Sequence, residues 1–116
     1  MQIRAAAVTG ALAVALGAFG AHGLKQVVTD PHLIEVWDTG ARYHLIHAVA
    51  MLAIADRSGV SPNTARLWMA GIALFSGSLY AMAVTDLRWL GAITPLGGVC
   101  FIAGWLLLLR TQAPPS

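Results

Sequence analysis

Four long, predominantly apolar stretches, at about 3–24, 36–55, 65–85 and 90–109, constrain this chain more than any other feature. The hydrocarbon core of a bilayer is about 30 Å thick and takes roughly 20 helical residues to cross. Each stretch is long enough, and the intervals between them are short. Backbone polar groups in hydrocarbon must be satisfied inside the segment, so runs of this kind cross as helices. The pattern predicts an all-α fold, a four-helix transmembrane bundle made of two successive hairpins. A single integral-membrane domain is expected over 1–116, with a flexible C-terminal tail at 111–116.

Composition agrees. The chain has 116 residues, of which 58% are hydrophobic and 10% charged, and its mean hydropathy is +0.72. A soluble domain carries about 25% charged residues, so there is too little charge here to cover a water-facing surface. Water-soluble enzymes and disordered tails are thereby excluded. The net charge of +2 comes from seven basic residues spread singly along the chain. Nucleic-acid binding needs clustered Lys and Arg to displace phosphate counterions, and no such patch exists. The lone Cys100 lies in an apolar run and reads as a small buried hydrophobe. Arg4 and the Ala18-Phe19-Gly20 sequence imitate a signal peptide, but the apolar run is too long and three further spans need a packing partner.

Helix punctuation lies between the stretches. Thr29-Asp30-Pro31 offers a cap followed by proline at the first helical position, so the second helix is expected to begin outside the bilayer. Asp56-Arg57-Ser58-Gly59 ends that helix and Ser61-Pro62-Asn63 opens the third. Four spans put both termini and the middle loop on one side, with Arg4, Arg57, Arg66 and Arg110 against Asp56. The other side holds Lys25, Arg42 and Arg88 with Asp30, Glu35, Asp38 and Asp86. The positive-inside rule then places the N- and C-termini in the cytoplasm, in a bacterial inner membrane. Trp37, Trp68 and Trp89 lie near span ends and are expected to anchor at the interfaces.

At about 100° per residue the second helix sorts into two faces. Gly40, Tyr43, His44, His47 and Met51 share one arc, and Leu45, Ile46, Val49, Leu52 and Ala53 occupy the other, the expected lipid face. Unpaired polar groups facing lipid are costly, so Tyr43, His44 and His47 should point inward. Asp38 and Arg42, one turn apart, should pair locally. Ser76 and Tyr80 share a face of the third helix. In the fourth, Pro95 is expected to kink the span and free the Gly91 carbonyl. Ala13, Gly17 and Ala21 form a small-xxx-small row, and Gly17, Gly20, Gly77, Gly97 and Gly98 are candidate close-packing positions. His22, Tyr43, His44, His47, Ser76, Tyr80 and Thr94 thus form a candidate polar cluster toward the outer half of the bundle. Two readings stand: hydrogen bonding between helices, or a site for a ligand, ion or lipid headgroup.

Catalytic and cofactor readings find little support. His22 and His47 are expected at different depths, which argues against haem ligation. A His44/His47 metal site lacks a Cys or carboxylate at useful spacing. No acidic residue lies deep in a span to share a proton with a histidine, and neither Ser76 nor Ser78 sits in a GxSxG elbow. No cofactor, no metal and no enzymatic activity are expected.

Four motifs occur in order: Gly17-Ala18-Phe19-Gly20-Ala21-His22-Gly23-Leu24, the Trp37-to-Ala48 stretch with Tyr43 and His47, Phe75-Ser76-Gly77-Ser78-Leu79-Tyr80, and Thr94-Pro95-Leu96-Gly97-Gly98. Together they resemble the bacterial YgdD family of small membrane proteins of unknown function, related to eukaryotic transmembrane protein 256. The resemblance implies a multi-pass membrane protein and supplies no reaction. With the residues it favours an accessory or scaffolding role, with the lipid bilayer and a homo-oligomer or larger membrane complex as partners. The alternative is a small-solute or lipid-headgroup carrier using the polar cluster.

Overall fold

The computed structural model describes residues 2–112. Among them every regular element is helical. Helix α1 covers Gln2–Ala21, a short α2 Leu24–Val27 and α3 Pro31–Ile54. Helix α4 runs over Pro62–Thr85 and α5 over Thr94–Leu107. The expected caps form. Asp30 accepts the His32 N–H at 2.9 Å and Ser61 accepts the Asn63 N–H at 3.2 Å, each with proline in the first turn behind it. Proline there sacrifices only an N–H that has no helical partner. Asp56 and Asp86 adopt the left-handed conformation that turns the chain after α3 and α4.

Three elements differ from the sequence expectation. The first apolar stretch is broken after Ala21, where the His22 N–H divides between the Ala18 and Phe19 carbonyls, both at 3.2 Å, before α2 begins. Inside α4, Ile72–Ser76 forms a π-turn, closed by the Gly77 N–H on the Ile72 carbonyl. The fourth stretch is not a kinked helix. A 3₁₀ segment, Arg88–Ala92, precedes α5, and Pro95 falls in the first turn of α5, so it removes no internal hydrogen bond.

Three helical segments are long and apolar enough to cross a membrane: Gln2–Ala21, Pro62–Thr85 and Arg88–Arg110. Helix α3 is 24 residues long, about 36 Å at 1.5 Å per residue, and is not among them. Its first half carries Glu35, Asp38 and Arg42. Asp38 and Arg42 pair as expected, at 3.0 Å, on an exposed surface.

Helix α1 packs along α3, and α4 packs against both α3 and α5. The array is flat, with principal extents of 56 × 25 × 17 Å. Gln2 accepts the Asp56 N–H at 2.9 Å, and Gln112 donates its N–H to the Gly59 carbonyl at 3.2 Å. The start of α1, the α3–α4 loop and the end of the described chain therefore share one end of the array. Of the expected tail, 113–116 lie outside the described residues.

Each end has its own apolar core. Ala6, Met51, Ile54, Trp68 and Phe101 fill one, and Leu24, Val28, Leu33, Trp37 and Ala83 the other. This corrects the tryptophan assignment. Trp68 is 0% exposed and Trp37 6%, so both are core residues; only Trp89 of the three is an exposed ring. The reason is steric. A Cβ at Gly104 would strike the Trp68 indole, and one at Gly20 the Trp37 indole, so glycine on the facing helix makes room for each ring.

Candidate functional site

The buried face of α3 is Leu33, Trp37, Gly40, Ala41, His44, His47, Ala48, Met51 and Ile54, at the three-and-four spacing of one helical stripe. Leu45, Ile46, Val49 and Leu52 face outward, as the sequence indicated. Tyr43 does not point fully inward. It is 41% exposed at the margin of the stripe, with its ring 4.9 Å from Phe75.

The candidate polar residues do not gather into one site. They divide into separate links between helices. The Ser76 hydroxyl, wholly buried, donates to the Gly40 carbonyl at 2.7 Å. Gly40 permits this close approach, since a Cβ would lie a tight 3.3 Å from the Ser76 carbonyl oxygen and 3.2 Å from the Leu79 Cβ. His44 Nδ1 is 2.9 Å from the Tyr80 hydroxyl, a link between α3 and α4. Ser78 and Thr94 join α4 to α5 at 2.6 Å, and Ser78 also reaches the Phe75 carbonyl at 2.9 Å. His22 stands apart, exposed at the end of α1.

These links have modest individual worth, because a separated helix in lipid also finds partners for its polar groups. Interhelical hydrogen bonds average about 0.6 kcal/mol and reach about 1.7. Ser76→Ala is expected to cost about 1 kcal/mol, since it removes the cross-helix donor to the Gly40 carbonyl, which keeps its own helical N–H partner. Thermal unfolding in detergent, compared with Ser76→Cys, measures it.

His47 occupies an aromatic enclosure. Its ring stacks on Phe101 with centroids 3.7 Å apart and planes 10° apart, and meets Trp68 and Trp105 edge-on at 5.8 and 5.9 Å. The Trp105 indole donates to His47 Nε2 at 3.0 Å, so that nitrogen carries a lone pair and the proton sits on Nδ1. Nδ1 then donates to the Tyr43 carbonyl at 2.8 Å. Both ring nitrogens are committed, and neither points to His22. A cavity of about 350 Å³ adjoins the ring, between Tyr43, Phe101 and Trp105.

Sequence reasoning missed Trp105, Phe101, Gly71 and Gly104, and put Gly40 on the inward arc without a packing role. The available signal was the spacing of Gly97, Phe101 and Gly104, at i, i+4 and i+7 on one face of α5. These interlock with α4: Phe75 lies on Gly97, Phe101 on Gly71 and Trp68 on Gly104. Of the expected packing glycines, Gly20 and Gly97 make close approaches. Gly17 and Gly98 have nothing within 4 Å of a Cβ position, and Gly77 only an ordinary contact at 3.9 Å. The expected Ala13, Gly17 and Ala21 row is likewise replaced by Ala6, Thr9 and Ala13 as the buried residues of α1.

Residues 16–98 match the family described as Protein of unknown function (DUF423). The chain is 50% identical over 109 residues to the UPF0382 membrane protein YwdK of Bacillus subtilis, covering 89% of this chain and 88% of that one. It is 43% identical over 106 residues to a UPF0382 membrane protein of Haemophilus influenzae, covering 88% and 85%. A UPF0382 membrane protein of Schizosaccharomyces pombe is 40% identical over 111 residues, covering 90% and 94%. No solved structure matches. Apolar helices, a polar stripe buried between them and near-full-length similarity lead to one conclusion: the chain belongs to the DUF423, or UPF0382, membrane protein family, whose function is unknown.

Proposed function

We propose that this chain is a non-catalytic accessory or scaffolding protein that crosses the bacterial inner membrane four times and assembles, with itself or within a larger complex, through the outer face of α1. One observation carries the reading. Ala7, Ala11, Ala15 and Ala18 are all exposed, and at about 100° per residue they form a row directly opposite the buried Ala6, Thr9 and Ala13. Exposed Val8 and Val14 flank the row, whereas the outer face of α5 presents Leu96, Val99, Ile102 and Leu106 with no row of small residues. Large side chains suit lipid tails, whereas a row of small ones lets a second helix approach closely and gain van der Waals contact. The fourth crossing is α3, whose charged first half reaches into the headgroups. Arg4, Arg57, Arg66 and Arg110 favour a cytoplasmic location for the end that holds the termini. The fission-yeast relative supports kinship with eukaryotic transmembrane protein 256, since it carries the family beyond bacteria.

The alternative, a carrier using the polar cluster, is weaker because those side chains are largely bonded to one another. Oxidative cross-linking in native membranes tests assembly, with cysteine at Ala11 in a Cys100→Ala background. A linked dimer or a linked partner of defined mass is expected, with little product from cysteine at Leu106. Ala11→Leu should weaken association about tenfold, equivalent to 1.4 kcal/mol. A lone monomer by native mass analysis, with no cross-link, would overturn the proposal.

A further inference from the structure

A cavity of about 330 Å³ lies where the end of α1, α2 and the first turns of α3 meet. It falls within the range, roughly 300–1,000 Å³, of clefts that take small molecules. Gly17, Gly20 and Trp37 line it together with the charged Lys25, Glu35 and Asp38. A Cβ at Gly17 would meet nothing within 4 Å, so the cavity is an open groove there, whereas at Gly20 the Trp37 indole already fills the space. The Trp37 indole N–H is already given to the Leu16 carbonyl at 2.8 Å. Hydrogen bonding to an occupant is therefore left to the three charged groups among these side chains.

Those groups are poised for a molecule carrying both signs of charge. Among the described residues Lys25 and Glu35 make no ion pair, and Arg42 takes only Oδ2 of Asp38, leaving Oδ1. The cavity thus offers one ammonium and two carboxylates beside an apolar groove, at the end of a membrane-length helix. A phosphodiester would pair with Lys25. The complementary cation must donate hydrogen bonds to carboxylate oxygens, which a primary ammonium does three times over and a quaternary ammonium cannot do. A choline group instead seeks aromatic faces, and Trp37, the aromatic ring in this wall, is 6% exposed.

We propose that this cavity binds the headgroup of a phosphatidylethanolamine lipid, its phosphate on Lys25 and its ammonium on Glu35 and Asp38, with an acyl chain entering the groove at Gly17. The site rests on the reading that the chain crosses the membrane, and is independent of the α1 assembly face. The test uses full-length protein in nanodiscs holding equal parts phosphatidylethanolamine, phosphatidylglycerol and phosphatidylcholine, followed by native mass analysis of retained lipid. Wild type should retain phosphatidylethanolamine about tenfold over either competitor, a preference of 1.4 kcal/mol. Glu35→Gln and Lys25→Gln should each bring retention toward parity, and Gly17→Leu should lower it by filling the groove. These exposed charges do not support the core, so the two glutamine variants should unfold at the wild-type temperature in lipid-free detergent.

Equal retention of the three lipids by wild type, or undiminished preference in both glutamine variants, would overturn the site. Displacement of the lipid by an equal concentration of free phosphoethanolamine would overturn the lipid as its source. Protein that remains outside the discs would sink the membrane-crossing reading and this site with it. A monomer within the discs would sink self-association at α1 and leave this site standing.

Discussion

Gly97→Ala is expected to destabilise the protein by about 3 kcal/mol, the upper end of the range for overpacking a core, while Gly98→Ala next to it should be close to neutral. The contrast is geometric. A Cβ at Gly97 would lie 2.7 Å from the Phe75 Cβ and 2.8 Å from its Cα. Real Cβ atoms do not approach so closely, and backbone cannot swing aside as the end of a long side chain can. Helices α4 and α5 must separate, which also loosens Phe101 from Gly71 and Trp68 from Gly104. At Gly98 a Cβ meets nothing within 4 Å, and alanine also improves helix propensity over glycine. Thermal unfolding of both variants in the same detergent decides the matter. Equal effects at the two positions would show that the Gly97–Phe75 contact does not hold α4 and α5 together.

Trp68→Ala is expected to cost on the order of 3–5 kcal/mol, as for other buried aromatics truncated to alanine. The indole is 0% exposed, fills the space over Gly104, and donates to the Phe101 carbonyl at 3.2 Å. It also walls the His47 enclosure and contacts Trp105 with centroids 4.7 Å apart. Separated helices in a bilayer remain solvated by lipid, so the loss is mainly of packing and of the hydrogen bond, not of transfer from water. Trp68→Phe keeps part of the ring volume but not the donor, and should fall between wild type and alanine. An interfacial anchor would behave otherwise, because its replacement would shift membrane depth and leave α4–α5 packing intact. Unfolding monitored by tryptophan emission, with Trp89→Ala as the exposed control, separates the two.

The faces of α3 were readable because helical periodicity is a local property. Counting 3.6 residues per turn from Gly40 through His44 and His47 to Met51 needs no knowledge of any neighbour. The caps at Asp30 and Ser61 were readable for the same reason, since each bonds an N–H two residues away. Trp37 and Trp68 were not. A tryptophan near a span end satisfies both an interface and a core, and the choice is made by Gly20 and Gly104, which are far away in sequence. Pro95 was ambiguous in the same way. Proline inside a helix kinks it, while proline in its first turn does no harm, and the 3₁₀ segment before Thr94 settles which case holds. The π-turn at Ile72–Ser76 left no mark in the pattern, because one extra residue in a turn changes neither composition nor hydropathy.

The seven polar side chains show the same division. Their scarcity and inward bias could be read from the chain, but their pairing could not. Ser76 with Gly40, His44 with Tyr80 and Thr94 with Ser78 are matches across helices, each requiring backbones at one separation and one register.

Hydropathy, periodicity and capping residues alone determined that this is a helical membrane protein, which surface of α3 turns outward and where α3 and α4 begin, since all three follow from interactions within a few residues. Only the tertiary structure decided which glycines admit a neighbouring ring and which polar groups meet. It also decided that Lys25, Glu35 and Asp38 share one cavity beside an open groove. Those outcomes depend on how closely two helices approach. That distance is set jointly by side chains on both, and neither helix encodes it alone.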